Sequence, residues 1–98
     1  SSDERLKRNK RPIHHALDKV NSLSGVMFDW DEELQDSHSG TDIGVIAQEV
    51  EEVVPQIVAT RDNGYKAVKY EKLVPLLIES IKELTNEVKE LKGKCKCQ

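Results

Sequence analysis

From Glu71 onward apolar residues recur in a four-three pattern, and this constrains the chain more than any other feature. Val74, Ile81 and Val88 take position a of a heptad, and Leu77, Leu84 and Leu91 take position d. Pro75 is tolerated only in the first turn of a helix, so the spacing predicts a helix from near Lys72 to Lys92, followed by a flexible tail over 93–98. An amphipathic helix of this kind either lies on its own domain or meets other helices. Past residue 84 little apolar sequence remains to cover Val88 and Leu91, so another chain is the expected cover. Glu87 at g and Lys92 at e are spaced for an inter-helix ion pair. β-branched residues at a with Leu at d favour two strands. Leu73 at g and Ile78 at e widen the stripe, which suits three helices, or two packed on other elements. The heptads alone leave the strand number open.

The remainder reads as a small α+β unit. Ile13, Ala16, Leu17, Val20 and Leu23 form one helical stripe, with Pro12 in the first turn and Gly25 at its end. Val26, Phe28 and Trp30 alternate as a half-buried strand does, and residues 32–42 read as a mobile loop. After Gly44, Ile46, Val50 and Val53 or Val54 share a helical face that Pro55 stops. Two period-two runs, 57–60 and 65–70, flank Asp62-Asn63-Gly64, a hairpin signal because Asn and Gly both tolerate positive φ. The expected fold is therefore mainly α with a small β component, in one domain over 1–98. A chain of 98 residues buries a modest core, and domains of this size often lean on oligomerisation.

Net charge −3, from 15 basic and 18 acidic residues, does not suggest a nucleic-acid partner. Arg5 to Arg11 is a basic exception, read as a solvated end. No apolar run reaches membrane-spanning length, and no signal peptide is visible. The absence of an initiator methionine leads us to expect a piece of a longer chain.

Chemistry-bearing residues are few. Ser2 and Lys7 stand five apart at the polar N-terminus. A serine hydroxyl attacks well when a base takes its proton, and a lysine serves once desolvation or nearby cations favour its neutral form. This spacing occurs constantly by chance, so for the pair alone a frayed polar terminus is the stronger reading. Adjacent His14 and His15 do not face one metal, and His38 lies in the loop. Asp29 and Asp31 share a strand face and are expected to be solvated. Cys95 and Cys97 give two soft ligands where zinc usually takes four, so they are read as an exposed reduced tail. No metal site and no cofactor are expected.

The order of motifs adds a resemblance. Ser2-Asp3-Glu4-Arg5-Leu6-Lys7, then Arg11-Pro12-Ile13, Ala16-Leu17, Lys19-Val20, Leu23-Ser24-Gly25-Val26, Phe28 and Trp30 form its first part. Gly44, Ile46-Ala47-Gln48-Glu49-Val50 and Val54-Pro55 form its middle. Gly64, Val68, Tyr70, Leu73, Pro75-Leu76-Leu77 and Ile81-Lys82-Glu83-Leu84 close it. Up to about Lys92 the chain resembles the C-terminal intramolecular chaperone and auto-processing domains of bacteriophage tailspikes, tail fibres and neck appendages, of which the endosialidase tailspike is an example.

The resemblance implies a homotrimer that registers the upstream fibre domain of its own parent and then cuts itself free. It implies Ser2 as nucleophile, Lys7 as general base and Ser1–Ser2 as the scissile bond. Asp3 and Arg5 match the motif, with no step beyond positioning. It also implies action in the host bacterial cytoplasm during virion assembly, with the domain released from or absent in the mature fibre. Lys10 departs from the family pattern, which often carries an apolar residue there. The alternatives are a non-enzymatic trimerisation module and the related domain of membrane-tethered transcription factors.

Overall fold

The computed structural model describes residues 2–95. Its order is a 3₁₀ turn at Glu4–Leu6, α1 (Ala16–Asn21), β1 (Val26–Asp29), β2 (Thr41–Gly44), α2 (Ala47–Val53), a 3₁₀ turn at Pro55–Ile57, β3 (Val58–Thr60), β4 (Lys66–Val68), a 3₁₀ turn at Tyr70–Lys72 and α3 (Leu73–Cys95). The strands form two antiparallel ribbons, β1–β2 and β3–β4. The α+β class therefore matches the expectation, with one long C-terminal helix and two short ribbons.

Helix α3 has two faces of opposite use. Leu76 and Ser80 are buried, and Leu73, Glu79 and Glu83 are half-buried. This stripe packs on α1, and the Ser80 hydroxyl is satisfied by donating to the Leu77 carbonyl at 2.9 Å. The a and d side chains point elsewhere: Val74, Leu77, Ile81, Leu84, Val88 and Leu91 are each 41–62% exposed. Pro75 sits in the first turn, where its missing N–H costs nothing. The helix runs on to Cys95, past the Lys92 end read from the heptads. Cys97 lies outside the described residues.

Helix α1 starts later than the sequence suggested. His15 is left-handed, with φ 56° and ψ 37°, and the helix begins at Ala16 rather than at Pro12. The reason lies in α3. Ala16 N–H donates to Glu83 Oε2 at 2.8 Å, so a carboxylate from α3 satisfies the first orphan donor of α1. Negative charge also suits a helix N-terminus. Ala16 itself is fully buried where α1 packs on α3.

The loop expected over 32–42 is shorter than predicted, because Thr41–Gly44 pairs with β1 in the register Val26↔Gly44 to Asp29↔Thr41. The rest of it is held. Trp30 stacks on His38 at 4.4 Å, and its indole N–H donates to Asp42 Oδ2 at 3.2 Å. Gln35 binds the Asp31 and His38 carbonyls and receives the His38 N–H. Gly44 permits a close approach: a Cβ there would meet the Tyr70 hydroxyl at 2.8 Å. That hydroxyl accepts from Val45 N–H at 3.3 Å and ties the first ribbon to the entry of α3.

The predicted hairpin forms, with one change. Only Gly64 takes positive φ (88°), and Asn63 instead accepts the Tyr65 N–H through its side chain. Asn-Gly here closes a longer loop bounded by the Arg61 N–H to Tyr65 carbonyl bond. Behind it, α2 buries Val50 beside Ile57.

Buried apolar residues among those described are Ala16, Val50, Ile57 and Leu76. The radius of gyration is 17.9 Å, against about 13 Å for a compact chain of this size. The excess reflects α3, whose residues from Leu84 to Cys95 are all exposed.

Replacing Glu83 by Ala should cost about 1–2 kcal/mol in urea unfolding, because it strips the cap from α1. Glu83→Gln should recover part of that loss, since it keeps an acceptor without the charge. Equal losses in both variants would point to charge alone.

Candidate functional site

The motif that carries the expected dyad is a 3₁₀ turn. Asp3 is its N-cap and accepts Arg5 N–H through Oδ1 at 2.8 Å. The same carboxylate receives Arg5 Nε at 3.1 Å and Arg5 Nη2 at 2.8 Å, so one side chain braces both the backbone and the guanidinium. Leu6 N–H donates to the Asp3 carbonyl at 3.1 Å, and Lys7 N–H to the Glu4 carbonyl at 3.0 Å. Ser2 thus precedes the cap and Lys7 closes the turn, with φ −120° returning the chain to extended geometry. Past the turn, Asn9 takes φ 55°, and Lys10 comes back to pair with Glu4.

Ser2 and Lys7 are both exposed. They are held on either side of one short turn, and no hydrogen bond joins them among the described residues. Ser1 lies outside the described residues. Neither residue lines the hollow of about 790 Å³ between the ribbons, which is walled by Phe28, Trp30, Ile46, Tyr65 and Tyr70. A bond cut within the same chain needs no separate substrate cleft. The arrangement can offer a hydroxyl and an amine close in sequence; it does not by itself take the amine out of water.

Other candidates are absorbed by local structure. Asp29 accepts the Thr41 hydroxyl at 2.6 Å across the ribbon, and Asp31 accepts Glu33 N–H at 3.0 Å. His14 and His15 are exposed, and His38 is stacked on Trp30. Among the described residues no three His, Cys, Asp or Glu side chains converge on a metal position. No described helix is long and apolar enough to cross a membrane.

Sequence reasoning missed two features. The Glu4–Lys10 pair spans six positions and depends on the turn at Asn9, which no spacing rule announces. Glu83 as a cap was more accessible, since Leu73, Leu76, Ser80 and Glu83 already form a second stripe beside the heptads.

The chain was compared with known proteins. A family profile described as chaperone of endosialidase, Peptidase_S74 by name, matches residues 2–59, from Ser2 into β3. The long tail fiber protein Gp37 of Enterobacteria phage K3 is 38% identical over 97 residues, covering 95% of this chain and 8% of that protein. Gp37 of Enterobacteria phage M1 is 33% identical over 96 residues, with coverages of 93% and 38%. Gp37 of Salmonella phage S16 is 30% identical over 102 residues, with coverages of 98% and 14%. The chain therefore spans well under half the length of these relatives. The similarity nonetheless extends through most of α3, beyond the family profile.

The Arg5 guanidinium and the Arg5 N–H together hold the Asp3 carboxyl below its ordinary pKa. A lowered folded value means the brace is intact above the usual carboxylate range and is lost as pH falls through the lowered value. An NMR titration of the Asp3 side-chain carboxyl should show a midpoint below about 3.9, the unperturbed value, and Arg5→Ala should bring it back up. An unshifted midpoint in the unaltered chain would contradict the brace.

Proposed function

The chain belongs to the chaperone of endosialidase family, and we propose that it is the C-terminal intramolecular chaperone of a phage tail fibre chain. It assembles as a homotrimer, aligns the upstream fibre domain of its own parent, and then releases itself by autoproteolysis. The work is done during virion assembly in the host bacterial cytoplasm, and the released domain is absent from the mature fibre.

One observation supports this reading above the others. The a and d residues of α3 face away from the domain that α3 packs on. Single exposed leucines are ordinary on protein surfaces, but a stripe over about three heptads is not. Covering a side chain of this kind fully is worth about 1.5–3 kcal/mol. Six of them, each roughly half covered already, offer each chain several kcal/mol toward an association cost of about 4–15 kcal/mol. The oligomerisation surface is therefore assigned to Val74, Leu77, Ile81, Leu84, Val88 and Leu91. Ile78, 52% exposed, broadens it toward a three-helix seam.

In the cleavage step Ser2 is the nucleophile and Lys7 the general base. Ser2 Oγ attacks the Ser1 carbonyl carbon, and its proton passes to Lys7 Nζ. The Ser1–Ser2 C–N bond breaks, and the proton is returned to the departing Ser2 amine. The upstream chain is then held as an ester on Ser2 Oγ, and water hydrolyses it to a carboxylate and the free hydroxyl. A lysine acts as a base once it is removed from water. The exposure of Lys7 and the lack of a Ser2–Lys7 bond favour one competing reading, a trimerisation module that does not cut.

The full fibre chain separates the two. Mass spectrometry should find a fragment beginning at Ser2 in the unaltered chain, and none in Ser2→Ala or Lys7→Ala, while both variants still trimerise. A chain of unchanged length in every case would favour the non-cutting module. Leu84→Asp, which buries an unpaired carboxylate in the seam, should weaken trimers in sedimentation by a hundredfold or more, roughly 3 kcal/mol.

A further inference from the structure

Lys7 lies in a segment crowded with charge. Asp3, Glu4, Arg5, Arg8, Lys10 and Arg11 surround it in sequence, and two of these are carboxylates. A carboxylate against a lysine stabilises its ammonium form and removes it as a base. The turn makes this a real hazard. Residues three apart on a 3₁₀ turn eclipse each other, and Glu4 and Lys7 are three apart.

Both carboxylates are engaged elsewhere. Asp3 is taken by Arg5, through Nε and Nη2. Glu4 is taken by Lys10, which Asn9 returns toward the turn with a left-handed backbone. Asn is among the few residues that enter this region at low cost. Lys7 turns away into extended backbone. Among the described residues it has no ion pair and no side-chain hydrogen bond, and no charged group from another element reaches it. The acids nearest in sequence to the amine are thus each matched to a different cation.

We infer that Arg5 and Lys10 are positioning residues that hold Asp3 and Glu4 away from Lys7, keeping its amine free to act as the base. The inference rests on the Ser2–Lys7 reading above.

The test follows self-cleavage of the full fibre chain against pH. Lys10→Met releases Glu4 toward Lys7, so the pH–rate profile should move up by about half a unit, with a roughly threefold loss of rate at neutral pH. Adding Glu4→Gln to Lys10→Met should restore the original profile, which a merely structural role for Lys10 would not produce. Lys10→Gln is the second variant should Lys10→Met impair folding, and trimer content is checked in each. An unmoved profile in the Lys10 variants, or a shift that Glu4→Gln leaves in place, overturns the inference. Ser2→Ala and Lys7→Ala run alongside. If both abolish cleavage while the Lys10 variants are unshifted, the dyad reading stands and this inference falls. If either still cleaves, both fall together.

Discussion

The structure depends on a single helix serving two surfaces at once. Leu76, Ser80 and Glu83 tie α3 to α1, and the a and d positions stay free of that contact. A 3.6-residue helix makes this possible, because stripes offset by one residue lie about 100° apart around its axis. The Glu83 bond to Ala16 fixes where α1 begins and so how the small N-terminal part sits on α3. With the Leu76 and Ser80 packing, this anchor sets how the outward stripe is oriented relative to the rest of the domain.

The second constraint is the management of charge at the N-terminus. Exposed ion pairs contribute little to stability, typically below about 1 kcal/mol. Their weight here lies in which partner each acid takes. Arg5 matches a carboxylate with a fork of donors, whereas Lys10 offers a point charge on a long stem. The Asp3 brace is therefore geometrically defined, and the Glu4 pair is the more easily exchanged of the two.

Much of the architecture was legible in the sequence because its periodicities were unambiguous. The long C-terminal helix, Pro75 in its first turn and the inward set Ile13, Ala16, Leu17, Val20 and Leu23 all correspond to what is observed on α3 and around α1. What could not be read was set by contacts distant in sequence. The start of α1 is fixed by a side chain 67 positions away. Strand β2 was hidden because Thr41, Asp42 and Ile43 are all exposed and show no alternation. The Asn-Gly turn was recognised, but its loop length was set by the Arg61–Tyr65 closure rather than by the two turn residues. Ser2 and Lys7 were visible as residues, and the resemblance gave them roles. The brace between them was not visible, since a carboxylate serving as cap and clamp together leaves no spacing signature.

A small core and a long outward helix together suggest how such a domain works. With so few buried side chains among those described, the domain would, on the proposed reading, gain more from the association of α3 than from its own interior. Joining long chains is an entropic problem, and a terminal seed raises the local concentration of everything attached to it. In-register β assembly is non-local and slow, so a seed that fixes register acts at the slowest stage. If the domain is cut away as proposed, the easy route for reassembly after unfolding would go with it, and the fibre would then persist through the height of its unfolding barrier rather than through equilibrium. On this view the weak self-sufficiency of the domain is useful. A seed that was stable and closed by itself would have no apolar stripe left with which to gather its partners.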